Sequence, residues 1–162
     1  MYNVFCYGSN SVHQLRERVG NQLLEAKKAF LPGYIRIFAG KSKKWKGGVA
    51  SLQKAPFPTI TKGSIVLLTE DELSKLDMFE GACKDATPFG RINNVYRRQF
   101  VFVIDNDYHL IECIVYIKNN KDWMTPPSQE YIIAIQKNIH LFWENDPILV
   151  VDHDLHKRIY NL

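Results

Sequence analysis

From Tyr2 to Tyr7 the chain is rich in β-branched and aromatic residues, and the run stops at Gly8-Ser9-Asn10. That pattern predicts a strand entering a tight turn, followed by a short helix to Arg18. Apolar and β-branched segments recur at Leu31 to Phe38, Gly48 to Leu52, Gly63 to Leu68, Tyr96 to Ile104 and Leu110 to Ile117. With the first, they give about six strands, enough for a small barrel or closed sheet. Thr69-Glu70-Asp71-Glu72 matches a capping box, with Thr69 as cap and Glu72 reaching back, and opens a helix expected to run to about Glu80. Gly81 follows, the residue type that most often succeeds a helix end because it takes the left-handed conformation without strain. A further helix is expected from Ser128, after Pro126 and Pro127, with Tyr131, Ile132, Ile135 and Ile139 at helical spacing. Leu155 to Tyr160 reads as a last short helix, and Ala82 to Asn94 as a long loop of the kind that often serves as a lid.

The length of 162 residues suits one domain, expected to span 1–162, and 46% apolar with 23% charged residues is the balance of an ordinary globular chain. Apolar runs such as Ile65 to Leu68 and Ile114 to Ile117 are far short of the roughly 18–20 residues a membrane span needs. The first residues lack the basic region, longer apolar stretch and cleavage site of an export signal, so a cytoplasmic location is expected. Cys6, Cys83 and Cys113 are widely separated and odd in number, and read as reduced thiols. The net charge of +4 owes much to Lys41, Lys43, Lys44 and Lys46. Only Trp45 interrupts that cluster, which lacks the aromatic platform of a nucleic-acid site and reads as a solvated loop.

The chemistry gathers at two places. On the helix after Thr69, Leu73 and Leu76 define the apolar face, and the same spacing carries that face through Asp77 and Glu80. A carboxylate there loses solvation and meets the negative carbonyl ends of the last turn, so Glu80 is expected to hold its proton more tightly and to exchange it near neutral pH. The alternative is that Glu80 curls out to solvent at a frayed end. A glycosidase pair is disfavoured, since Asp77 and Glu80 are neighbours on one helix and that chemistry needs carboxyls on opposite sides of a sugar. At Tyr7-Gly8-Ser9-Asn10, a strand end followed by glycine and small polar residues can aim successive backbone N–H groups at an anion or oxyanion. It can equally be an ordinary turn with Asn10 as helix cap.

Together these segments resemble the γ-glutamyl cyclotransferase family, whose members carry Tyr-Gly-Ser-Asn, then Trp-x-Gly-Gly-x-Ala, then Leu-Asp-x-x-Glu-Gly. Here the three are Tyr7 to Asn10, Trp45 to Ala50 and Leu76 to Gly81, in the same order. The likeness continues through Tyr96, Tyr116 and the Pro-Pro-Ser-x-x-Tyr that ends at Tyr131. It departs at the long loop Ala82 to Asn94 and after Leu141. The resemblance implies an α+β fold, a small mixed β-barrel with flanking helices. It implies that the α-amine of a γ-glutamyl group attacks its own γ-amide carbonyl, closing 5-oxoproline and expelling the attached amino acid without water, metal or cofactor. It implies Glu80 as the acid/base residue and Tyr7, Gly8, Ser9, Asn10, Tyr96, Tyr116 and Tyr131 as the substrate-binding set. The expected partner is a small γ-glutamyl molecule, with neither nucleic acid nor membrane; a homodimer is left open. Within the family, Tyr-Gly-Ser-Asn favours γ-glutamyl amino acids over the γ-glutamylamine branch, which tends to read Tyr-Gly-Thr-Leu, and the glutathione-specific branch, which tends to read Tyr-Gly-Ser-Leu. The competing class is a non-catalytic binding module that uses Lys41 to Lys46 to meet an acidic partner. A metal site at His153 and His156 lacks a strong ligand pattern, and solvated histidines are expected there.

Overall fold

In the computed structural model, residues 1–80, 96–118 and 125–160 are described. The order is β1 (Tyr2–Cys6), α1 (Val12–Val19), β2 (Ala26–Pro32), β3 (Tyr34–Ser42), β4 (Gly47–Lys54), β5 (Ile60–Leu68), α2 (Glu70–Glu80), β6 (Tyr96–Asp105), β7 (Leu110–Lys118), α3 (Gln129–Ile139) and α4 (His153–Tyr160). Five strands close a barrel in the order β1-β5-β2-β6-β7, while β3 and β4 form a separate antiparallel pair. The barrel is mixed, because β1 runs antiparallel to β5 but parallel to β7, with Val4 opposite Ile114.

The stretch read as one strand from Leu31 to Phe38 is two strands. Gly33 sits between β2 and β3 at φ +75°, a conformation that side chains disfavour, and the backbone turns there out of the barrel. This accounts for seven strands where about six are expected. The helices fall where their signals place them. Thr69 and Glu72 exchange both capping-box bonds, 2.9 Å from the Thr69 N–H to Oε2 and 3.2 Å from the Glu72 N–H to Oγ1. Ser128 caps α3. Asn10, a cap for the first helix in the alternative reading of the turn, is not one; Ser11 takes that place, its hydroxyl accepting from the Gln14 N–H at 3.2 Å. The long loop at Ala82 to Asn94, Cys83 and the Gly81 helix stop lie outside the described residues.

Strand alternation divides the core. Phe5 and Tyr7 on and after β1, Ile65 on β5, and Cys113, Val115 and Ile117 on β7 pack together with β4 and with Tyr131, Ile135 and Ile139 of α3. The residues between them, Val4, Cys6, Val66, Leu68, Ile114 and Tyr116, face the other way and meet Val12, Leu15 and Val19 of α1 and Leu73 and Leu76 of α2. These strands are therefore covered on both faces, and burying each leucine of α2 contributes roughly 1.5–3 kcal/mol. Both cores reach the end of β1. No helix among the described residues is long and apolar enough to cross a membrane.

Candidate active site

At the end of β1 a cavity of about 410 Å³ opens between the first turn, the ends of α2 and β7, the start of β6, and the β3–β4 connection. Tyr7, Gly8, Ser9, Asn10, Glu80, Tyr96, Tyr116 and Tyr131 all line it. Phe79 lines it as well, and Lys41, Ser42, Lys43, Lys44 and Trp45 stand along the β3–β4 side.

The Tyr7-to-Asn10 turn is held from behind. Arg36 donates from Nε to the Tyr7 carbonyl at 2.7 Å, Asn138 donates from Nδ2 to the Gly8 carbonyl at 2.7 Å, and the Ser9 carbonyl accepts from the Ser11 N–H at 2.8 Å. Burial brings the Arg36 guanidinium down to about 10, so it remains a cation beneath the turn. Among the described residues no acceptor takes the backbone N–H of Gly8, Ser9 or Asn10. A turn with its carbonyls engaged and successive N–H groups open is suited to an anion or a developing oxyanion.

Glu80 reaches the same cavity from the last turn of α2. That helix is fixed by Leu73 and Leu76, both fully buried, and by Asp77, which is 5% exposed. Asp77 is fully engaged: Arg98 grips it from β6, with Nε 2.9 Å from Oδ1 and Nη2 on Oδ2, and the Tyr116 hydroxyl donates to Oδ1 at 2.6 Å. Three donors at a buried carboxylate anchor α2 to β6 and β7.

One turn on, Glu80 accepts a 2.5 Å hydrogen bond from Asn10 Nδ2, and Arg18 Nη1 lies 3.7 Å from the same oxygen. Arg18 also donates to Asn10 Oδ1 at 2.7 Å, which orients the amide so that its NH₂ faces the glutamate. Burial pushes the Glu80 carboxyl above its ordinary value, against the bond from Asn10 and the charge of Arg18, while the charge of Asp77 adds to the rise. Glu80 thus does not curl out to solvent; its side chain is 12% exposed.

The four tyrosine hydroxyls are already engaged. Tyr7 donates to the Tyr116 carbonyl, Tyr96 to the Ala50 carbonyl at 3.0 Å, and Tyr116 to Asp77. Each has given its proton away and can meet a further group only as an acceptor. Tyr131 differs: it accepts from the Ala50 N–H at 2.8 Å, so its own proton is not taken by that bond. Burial pushes all four phenols up, Tyr131 to about 12, and they are neutral at physiological pH.

Several lining residues escape sequence reading. Arg18 and Lys118 carry no local signal, and the Lys41-to-Lys44 cluster, though exposed as expected, lines the cavity and does not merely face bulk water. Trp45 packs its ring 5.0 Å from that of Tyr131 and ties the connection to α3. Cys6 and Cys113 are buried and unbridged. The His156 and Tyr160 rings on α4 lie 4.5 Å apart, tilted by 40°, and the His153 side chain lies outside the described residues. One set of potential metal ligands occurs among the described residues, Asp105, Asp107 and His109 in the β6–β7 turn. There Asp105 is occupied by the Asp107 and His109 N–H groups, both at 2.9 Å.

Over residues 4–136 the sequence matches the family model described as gamma-glutamyl cyclotransferase, AIG2-like. Among solved structures, the chain is similar to an uncharacterised human protein, with a TM-score of 0.71 and 23% identity over 98% of this chain and 97% of that one. It is similar to a gamma-glutamyl cyclotransferase, with a TM-score of 0.69 and 21% identity over 98% and 97% of the two chains. It is also similar to YkqA of Bacillus subtilis, at a TM-score of 0.70 and 23% identity over 89% of this chain and 50% of that one. At these identities the likeness concerns the fold. No curated protein matches the sequence.

Proposed function

The chain belongs to the gamma-glutamyl cyclotransferase, AIG2-like family, and on that premise we propose that it converts γ-glutamyl amino acids to 5-oxoproline and the free amino acid. The observation that carries this reading is Glu80: a desolvated carboxyl whose proton affinity is raised, at the wall of a tyrosine-lined cavity beside a turn with open N–H groups. An α-ammonium is not a nucleophile until it loses a proton, and a carboxylate of raised affinity can take it. The freed amine then attacks the γ-carbonyl carbon, forming one C–N bond. As the tetrahedral centre collapses, the bond to the leaving nitrogen breaks, and protonated Glu80 supplies the proton that nitrogen needs. The net change involves no oxidation and no added water, so the step calls for no cofactor.

The other groups take roles that follow from their hydrogen bonds. The N–H groups of Gly8, Ser9 and Asn10 receive the carbonyl oxygen as it gains charge, or the α-carboxylate. Tyr7 and Tyr116 present lone pairs and suit the substrate ammonium, Tyr96 packs beside Lys118, and Tyr131 keeps a proton for a carboxylate. The reaction is intramolecular, so much of the enzyme's task is to hold the substrate in a ring-like pose, where orientation is worth several kcal/mol of barrier. We place this activity in the cytoplasm.

The test is release of 5-oxoproline from γ-glutamyl-alanine, with γ-glutamyl-ε-lysine and glutathione alongside, for the wild type and Glu80→Gln. The variant is expected to fold and to lose about two to four orders of magnitude in turnover. Near-normal turnover in Glu80→Gln would remove the mechanism, and a wild type inert on all three substrates would favour a binding module.

A further inference from the structure

The charged side chains lining the cavity are unbalanced. Glu80 is the one carboxylate among the described lining residues, facing Arg18, Lys41, Lys43, Lys44 and Lys118. Arg18 is committed to Glu80 and Asn10 and lies 5.1 Å from the Phe79 ring centroid. Lys44 lies 5.0 Å from the Trp45 centroid at the rim. Lys118 stands apart from both, because it is half-buried at the end of β7 and among the described residues no carboxylate lies within ion-pair distance of it.

The fold positions this lysine closely. Its backbone N–H donates to Ser51 Oγ at 3.1 Å, and its ammonium sits 5.6 Å from the Tyr96 ring centroid. Its stem crosses Gly40, where a Cβ would stand 2.4 Å from Lys118 Cε. Gly40 is at φ +66°, beside the irregularity in the β3–β4 register between Ala39 and Ser42. A bare glycine in a bulged strand therefore gives the lysine its path along the cavity wall. Removing an ammonium from water without an anion is unfavourable, and burial lowers the proton affinity of Lys118 accordingly. A bound anion would offset that cost.

We propose that Lys118 binds the carboxylate of the departing amino acid, with Lys41, Lys43 and Lys44 adding attraction at the rim, so that the enzyme selects γ-glutamyl compounds whose leaving group is anionic. This rests on the cyclotransferase reading above. The substrate's own α-carboxylate is the poorer candidate. It already has donors in the Tyr131 hydroxyl and the open N–H groups of the Tyr7-to-Asn10 turn. Lys118 is held by β7, Tyr96 and the β3–β4 pair. The carboxylate of the leaving amino acid, attached beyond the scissile nitrogen, is a second anion and needs a second site.

The experiment compares kcat/KM for γ-glutamyl-alanine with that for γ-glutamyl-alaninamide, which differ only in the charge of the leaving group, in the wild type and in Lys118→Met. The wild type is expected to prefer the acid by about tenfold, the scale of a charge-assisted contact that is partly solvated, and Lys118→Met to bring the ratio near one. The ratio reports on the contact, and a loss of folding alone would lower both substrates together. If Lys118→Met does not fold by circular dichroism, Lys118→Gln serves the same comparison. A wild type that turns over both equally, a preference that survives in the variant, or an equal loss on both substrates would each overturn the proposal. A wild type inert on acid and amide alike would instead bring down the cyclotransferase reading, and this proposal with it.

Discussion

Replacing Arg98 by Met tests whether the buried Asp77 cluster fixes α2, and with it Glu80. Asp77 is 5% exposed and takes its hydrogen bonds from Arg98 and Tyr116. Removing the guanidinium leaves the Tyr116 hydroxyl as the remaining donor to a buried negative charge. Breaking one side of a fully buried ion pair costs about 3–5 kcal/mol. The Arg98 side chain is 17% exposed, so water can reach the vacated side and the expected loss is nearer about 2–3 kcal/mol. At about 2–4 °C per kcal/mol for a chain of this size, Tm falls by about 4–12 °C, read by circular dichroism with a urea midpoint as the second measure. The triple change Arg98→Met, Asp77→Leu and Tyr116→Phe removes the charge and all its donors and fills the space with apolar groups, so it should return to within about 1 kcal/mol of the wild type. A single variant within about 0.5 kcal/mol of the wild type would refute the reasoning. So would a triple variant as unstable as the single one, since the cost would then come from packing and not from an unpaired charge.

Two further outcomes follow from the same geometry. The native Glu80 carboxyl binds its proton more tightly than the unfolded one, so the native state holds more protons and stability falls as pH rises above the ordinary carboxyl value of 4.5. Glu80→Gln keeps an acceptor for Asn10 and has no such titration. Its Tm should match the wild type near pH 4 and exceed it at pH 8, and a difference independent of pH would contradict the raised affinity. Gly48→Ala would set a Cβ 2.1 Å from the Thr125 carbonyl oxygen, a backbone atom, where β4 touches the segment leading into α3. Relief requires that segment to move and strains the 3.0 Å bond from the Gly48 N–H to the Pro126 carbonyl, so a loss of about 1–3 kcal/mol in urea unfolding is expected. An unchanged midpoint would show that the segment gives way freely.

Much of the fold was legible because its signals are local. The capping box at Thr69, the paired prolines before Ser128 and the apolar, β-branched runs of β1, β5, β6 and β7 act within a few residues, and each element lies where its signal falls. The break at Gly33 was missed because Leu31 to Phe38 is apolar on both sides of it, and hydrophobic pattern alone does not register a turn that keeps both arms buried. The cap alternative at Asn10 fails for a related reason. Asn and Ser both cap helices, and the choice of Ser11 became clear only from Asn10 being drawn to Glu80 and Arg18, neither of which a local window contains.

The site divides along the same line. Glu80 could be read from the sequence because a carboxylate at an apolar helical position contradicts its own solvation, and that contradiction is visible along one helix. Lys118 contradicts nothing locally: a lysine closing a strand reads as an ordinary solvated end. Its meaning depends on three contacts made by distant segments, the Tyr96 ring across the β6–β7 pairing, the Ser51 hydroxyl of β4 and the uncovered backbone of Gly40. The last two do not exist until the β3–β4 pair has docked against β7. The group proposed to transfer the proton can therefore be inferred from a violated rule, while the group proposed to choose the leaving amino acid obeys every local rule and becomes distinctive only through the cavity it lines.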